Sequence, residues 1–253
     1  MSHQLDKPRR KTMALTGSRI VVIGGSSGMG LATARAAAES GAVVTIASSD
    51  KARVDAALAG LPDTCDGAAL DIRDESAVAD LFARVGELDH VVFTAGDAAD
   101  RRPLGQLPLD EARQLFDVRF WGAVAVAKHS AHRIRPGGSI TLTSGTIGVR
   151  PVPGAALASA GSSATEGLTR GLAFDLAPIR VNAVRCGAVR TPIWNTIPEP
   201  QRESVLEAFA QRALTKTVGT AEQVAATHLY LMENQFVTGT VLTVDGGSVL
   251  TGN

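Results

Sequence analysis

Gly24, Gly28 and Gly30, spaced G-x-x-x-G-x-G with Ser26, Ser27 and Met29 between them, are the residues of this chain best suited to hold a phosphate. Glycine accepts φ > 0 and lets an anion approach bare backbone N–H groups. A helix opening at such a turn adds the positive end of its dipole. The spacing is one residue off the usual dinucleotide fingerprint. A second group follows the next apolar run: Ser48, Ser49, Lys51 and Arg53. A dinucleotide's adenosine ribose is read at that point, an acid taking a 2′-OH and cations with hydroxyls taking a 2′-phosphate. The two serines and two cations point to NADP(H) ahead of NAD(H). Asp50 has two readings, as the NAD-type acid or as the cap of the next helix.

These groups converge only if the runs before them are neighbouring strands. Residues 20–23, 42–47, 67–70, 89–93, 138–143, 179–184 and 241–244 read as strands. Residues 31–40, 52–60, 75–85, 110–133, 155–176, 203–213 and 221–233 read as helices. Unbroken alternation predicts parallel strands joined by right-handed crossovers, with helices on both faces: a single doubly wound, Rossmann-type α/β domain over residues 17–253. Residues 1–16, with a basic stretch at 7–11, read as a flexible, solvated tail. Ligands in such sheets lie beyond the carboxyl ends of the strands, where the glycine turn, Asp71, Thr94-Ala95-Gly96 and Ser144 all fall.

Composition narrows the class. Hydrophobic content of 45% and charged content of 20% are globular values. The 25 basic and 25 acidic residues cancel, which gives no reason to expect nucleic acid or a membrane surface as partner. No apolar stretch is long enough to span a bilayer. The two cysteines, Cys65 and Cys186, lack ligand spacing and fit a reducing cytoplasm. His129 and His132 lie three apart on a helix but have no third ligand in view, so no metal is expected.

From Arg19 to Val249 the chain resembles the short-chain dehydrogenase/reductase family. Gly24, Gly28 and Gly30 match its cofactor turn, with Ile23 where a threonine is usual. Asp71-Ile72 matches the acidic-aliphatic pair that holds the adenine. Ala95-Gly96 matches the end of the Asn-Asn-Ala-Gly motif, Phe93 and Thr94 replacing the asparagines. Residues 179–184 and 187–192 are close matches, bringing Gly187, Val189 and Thr191 to the cofactor, with Cys186 where proline is usual. The resemblance implies a seven-stranded parallel sheet, a nicotinamide cofactor, a small-molecule substrate, and homodimers or homotetramers. It also implies a substrate lid near residues 193–213, with Trp194 in it.

The departures bear on function. Family members use Asn, Ser, Tyr and Lys: the phenol moves a proton while hydride moves to or from the nicotinamide, and the lysine lowers the phenol's pKa. The serine matches Ser144. The family's spacing from it places Leu157 at the tyrosine and Gly161 at the lysine, and Arg119 stands at the asparagine. Leucine donates no proton and glycine lowers no pKa. Ser144 is then expected to orient a carbonyl, and Arg119 to replace the missing cation, stabilising negative charge without acting as a proton donor. The other reading of Arg119 is a pairing with a carboxylate such as Asp117, or exposure to solvent. Two functions compete: an atypical NADPH-dependent reductase of carbonyl or quinone-like acceptors, or a non-catalytic protein that keeps the cofactor pocket as a sensor or structural site. Non-redox chemistry in the same cleft is a third, weaker reading.

Overall fold

A computed structural model describes residues 15–96 and 102–251. In chain order the elements are β1 (Arg19–Ile23), α1 (Gly28–Glu39), β2 (Val43–Ser48), α2 (Lys51–Leu58), β3 (Cys65–Ala69), α3 (Glu75–Val85) and β4 (Leu88–Phe93). They continue as α4 (Leu109–Gln114), α5 (Gly122–Ser130), β5 (Ile134–Gly145), α6 (Ala156–Asp175), β6 (Arg180–Cys186) and β7 (Val189–Arg190). The chain closes with α7 (Gln201–Arg212), β8 (Gly219–Thr220), α8 (Ala221–Glu233) and β9 (Val241–Val244). Most of the stretch assigned to the flexible tail, residues 1–14, lies outside the described residues.

Seven strands form one sheet in the order β3-β2-β1-β4-β5-β6-β9. Every pairing in it is parallel. β1 shows why the sheet is buried on both faces. Ile20 and Val22 join Val44, Ile46, Ala34 and Ala37 on one side, while Val21 and Ile23 join Val91, Phe93, Ile140 and Leu142 on the other. Period-2 alternation thus serves two cores, and the strand reads as a continuous apolar run. The strand order reverses between β1 and β4, the crevice where such sheets bind ligands.

One expectation needs correction. The helix expected over 110–133 is broken into α4, a π-helical turn at Asp117–Trp121, α5 and a short 3₁₀ turn. Trp121 N–H reaches the Phe116 carbonyl five residues back. This inserts a residue without ending the helix, and such bulges often mark functional sites. The sequence also gave no sign of the two-residue β7–β8 pair outside the main sheet.

Two histidines are locked in the interior. His228 on α8 is fully buried, its Nδ1 2.8 Å from Thr33 Oγ1 on α1. His90 on β4 lies 2.9 Å from Ser139 Oγ. Burial pushes the pKa of each down to about 4, helped at His90 by the charge of Arg180. Both are therefore neutral in the fold, whereas the unfolded chain protonates them near pH 6.5. Stability is full above pH 6.5 and falls as pH drops from there to about 4, below which these groups take no more. The loss is at most about 3 kcal/mol per histidine. Urea midpoints measured from pH 7 to pH 4.5 should decline steadily, with proton uptake on unfolding approaching two from this pair.

Candidate functional site

β1 ends in the glycine turn, and α1 begins within it. Gly24 has φ +82° and Gly28 φ +53°. A Cβ on Gly24 would lie 2.6 Å from Ala95 N, and one on Gly30 would drive into the Gly24 carbonyl and Thr94 Oγ1. The turn therefore packs against the end of β4 with no room for a side chain. Thr94 fixes that contact, its hydroxyl donating to the carbonyls of Ile23 at 2.9 Å and Gly24 at 3.3 Å. Ser27 caps α1 by position only, without a side-chain hydrogen bond, and the first turn carries no acid. The early N–H groups of α1 keep their full attraction for an anion.

Above this turn lies a cleft of about 590 Å³. It is lined by Gly24, Ser26, Ser27, Gly28, Met29 and Gly30 from the turn. Ser48, Ser49 and Arg53 come from the end of β2 and the start of α2, and Asp71 and Ile72 follow β3. Thr94, Ala95 and Gly96 follow β4, with Thr191 on the far wall. These candidates come from five separate segments, and the sheet brings them to one crevice. A glycine floor that admits no Cβ, an uncapped helix start and a hydroxyl-and-arginine end fit a dinucleotide.

Five candidates do not line this cleft: Arg119, Lys51, Gly187, Val189 and Ser144. Lys51 points along α2 to Asp55, 2.7 Å away and in solvent, because a Lys–Asp pair four apart on a helix meets on one face. Gly187 packs on β9, where a Cβ would come 2.8 Å from Asp245. Val189 is buried, and its carbonyl accepts from Trp194 Nε1 at 2.8 Å. Ser144 shares the face of β5 that carries Ile140 and Leu142, so it turns inward beneath α6. Its hydroxyl donates to Glu166 Oε1 at 2.9 Å and to the Ser162 carbonyl at 3.2 Å. Ser144 thus lines neither this cleft nor the one beside it.

Glu166 in turn grips Arg185 through both carboxylate oxygens, at 2.7 and 2.6 Å, and Arg185 Nη1 donates to Thr243 Oγ1. Burial alone would raise the Glu166 carboxyl, but the Arg185 and Ser144 hydrogen bonds outweigh it and hold the carboxyl below its ordinary value. In the sequence the sign of this cluster is faint: Glu166 and Thr169 stand at buried positions of the small-residue-rich helix α6.

At the adenosine end, Asp50 accepts from Arg53 N–H at 3.0 Å and pairs with Arg53 Nε at 3.1 Å. It is therefore the cap of α2, the second of its two readings. Arg73 was also missed. It lines the cleft and forks onto Asp71 at 2.7 to 3.1 Å, which holds the Asp71 carboxyl below its ordinary value. A cation two residues after the Asp71 position was the available signal.

Arg119 sits in the π turn, half-buried, with its guanidinium packed on Gly96 at the end of β4. Its charge also reaches Cys186 at the end of β6, whose thiol burial pushes up to about 12 against that charge. Leu157 and Gly161 are half-buried on α6, and Tyr230 stands on α8 with its hydroxyl accepting from Asn234. Among the described residues no tyrosine, lysine or histidine lines this cleft or a second one that Ala188, Phe209 and Arg212 help to line. His129 pairs with Glu75 at 2.9 Å, and among the described residues no cluster suits a metal ion. No helix there is long and apolar enough to cross a membrane.

Residues 192–213, which span the stretch where a lid is expected, contribute to both clefts. Pro192, Ile193, Asn195 and Thr196 line the first, while Phe209, Arg212 and Ala213 line the second. Trp194 stacks on Phe209 with ring centroids 5.5 Å apart, and Arg190 forks onto Glu203, fastening α7 to β7.

Known proteins share this fold. A family model described as enoyl-(acyl carrier protein) reductase matches residues 23–249. The short-chain dehydrogenase/reductase UcsE of an Acremonium species is 38% identical over 250 residues, covering 91% of this chain and 95% of its own. The solved structure of the MalC reductase/Diels–Alderase from Malbranchea aurantiaca is 33% identical with a TM-score of 0.90, covering 95% of this chain and 100% of that one. A small-chain dehydrogenase solved in complex with NADPH is 33% identical with a TM-score of 0.81, covering 92% and 99%.

Proposed function

The chain belongs to the short-chain dehydrogenase/reductase family, and from that membership we propose that it is an NADP(H)-dependent oxidoreductase acting on a small activated acceptor, carbonyl or quinone-like, without a tyrosine–lysine acid. The observation that carries this reading is the first cleft: a glycine-floored crevice whose described walls hold arginines and hydroxyls but no phenol, amine or imidazole. The nicotinamide supplies the hydride when bound.

The chain's own residues do the rest. The turn amides and the start of α1 hold the diphosphate. Ser48, Ser49 and Arg53 take the 2′-phosphate, with Arg73 adding positive charge at that end. Asp71 and Ile72 hold the adenine, and Thr191 closes the far wall. Arg119, packed on Gly96 at the end of β4, stabilises negative charge developing on the acceptor oxygen. It stays protonated at ordinary pH, so the proton comes from water. Activated acceptors need less acid catalysis than plain ketones, which suits a site without a phenol. Assembly as a homodimer or homotetramer in the cytoplasm is part of this reading.

Calorimetric titration with NADPH and NADH tests the pocket, and NADPH should bind at least about tenfold more tightly, as one charge-assisted contact to the 2′-phosphate provides. NADPH oxidation with a quinone panel then tests the chemistry, with Arg119→Ala slowing turnover by about tenfold. Binding without turnover would favour the alternative, a non-catalytic NADP(H) sensor, which the same missing acid supports. Binding of neither nucleotide would sink both.

A further inference from the structure

The second cleft, about 360 Å³, lies beside the cofactor crevice: Ala188 lines it, and Thr191, three residues on, lines the first. Pro151, Val152, Phe209 and Val249 give it apolar walls. Two arginines enter it, Arg150 from the loop after β5 and Arg212 from the last turn of α7. Arg150 donates to the Thr251 carbonyl, and neither arginine has an ion-pair partner among the described residues. Among the described residues the one acid lining the cleft is Asp245, whose oxygens already accept from Gly247 N–H at 2.9 Å, Ser248 Oγ at 3.0 Å and Val249 N–H at 2.8 Å. Positive charge is thus in excess at the rim of an apolar pocket.

We propose that this cleft is the acceptor site and that it selects acceptors carrying a carboxylate beside an apolar ring; this rests on the oxidoreductase reading above. The guanidinium fork matches a carboxylate in two parallel hydrogen bonds, while the prolines, Val152 and Phe209 take the ring. Arg212 also favours the end of α7 electrostatically, but that role would not require it to face a cleft.

Benzoate, 2-naphthoate and their primary amides are titrated calorimetrically into the protein, alone and with NADP⁺. At least one acid should bind about tenfold more tightly than its amide, the margin of one charge-assisted bond. Arg212→Ala should cost the acid about tenfold and leave the amide unchanged, with Arg212→Lys in between. Arg212 is exposed, so the variant keeps the fold. No acid preferred over its amide, or an acid indifferent to Arg212→Ala, overturns the inference. The two readings fail separately. Acid preference without NADPH oxidation by any acceptor leaves the anion site standing and removes the oxidoreductase. NADPH oxidation by neutral quinones without acid preference does the reverse.

Discussion

Gly30→Ala should abolish useful cofactor binding, lowering NADPH affinity by at least about a hundredfold, the scale on which a displacement of about 1 Å is felt at a positioned site. The added methyl has nowhere to go. Gly24 C would lie 2.8 Å from it, with the Gly24 carbonyl and Thr94 hydroxyl also in its path. The nearest atoms are mostly backbone, so the turn itself must move away from β4, taking its N–H groups with it. Overpacking costs about 1–3 kcal/mol of stability, which leaves the fold intact. Calorimetry beside circular dichroism reads both effects, and a folded Gly30→Ala protein with unchanged NADPH affinity would mean that the nucleotide lies elsewhere.

Glu166→Ala should destabilise the protein by about 3 kcal/mol without touching either cleft. The Glu166 side chain is 7% exposed and that of Arg185 17%, so removing the carboxylate strands a guanidinium that water hardly reaches. It also leaves the Ser144 hydroxyl with only the Ser162 carbonyl, at 3.2 Å. Replacing both partners together, with Glu166→Leu and Arg185→Met, should recover most of the loss, because the penalty arises from a lone buried charge more than from the pair's net strength. Urea unfolding of the two single variants and the double resolves this. If Glu166→Ala alone unfolds at the native urea concentration, the pair contributes nothing.

The fold was legible because its signal is redundant. Helical patterns separate all seven apolar runs, two of them in succession before the last, and β1 is apolar on both faces because two cores use it. The glycine turn was legible for a related reason, since a phosphate cradle and a tight strand-to-helix turn both require Gly24, Gly28 and Gly30. Side-chain direction was harder to read. Ser144 stands at the end of a strand near the crevice, yet the parity of Ile140 and Leu142 sends it under α6. Lys51 belongs to the basic group after β2, but helix geometry gives it to Asp55. Arg73 and the Glu166–Arg185 pair depend on contacts between segments far apart in sequence, which no local pattern records. The π turn that positions Arg119 is hidden as well, because one extra residue in a helix leaves the apolar periodicity almost unchanged.

The hydrogen bonds from Thr94 to Ile23 and Gly24 have a consequence for the order of folding. They join residues 71 and 70 positions apart, so the floor of the nucleotide crevice does not exist until β4 has docked beside β1. On a ribosome the β1–α1–β2 segment emerges first and can pair internally, but its glycine turn then lacks the wall that shapes it. Long loops must close before such contacts are repaid, which places them late. The nucleotide therefore cannot act as a template for the first half of the chain. It can only bind, and by mass action stabilise, a sheet whose central pairing is already complete.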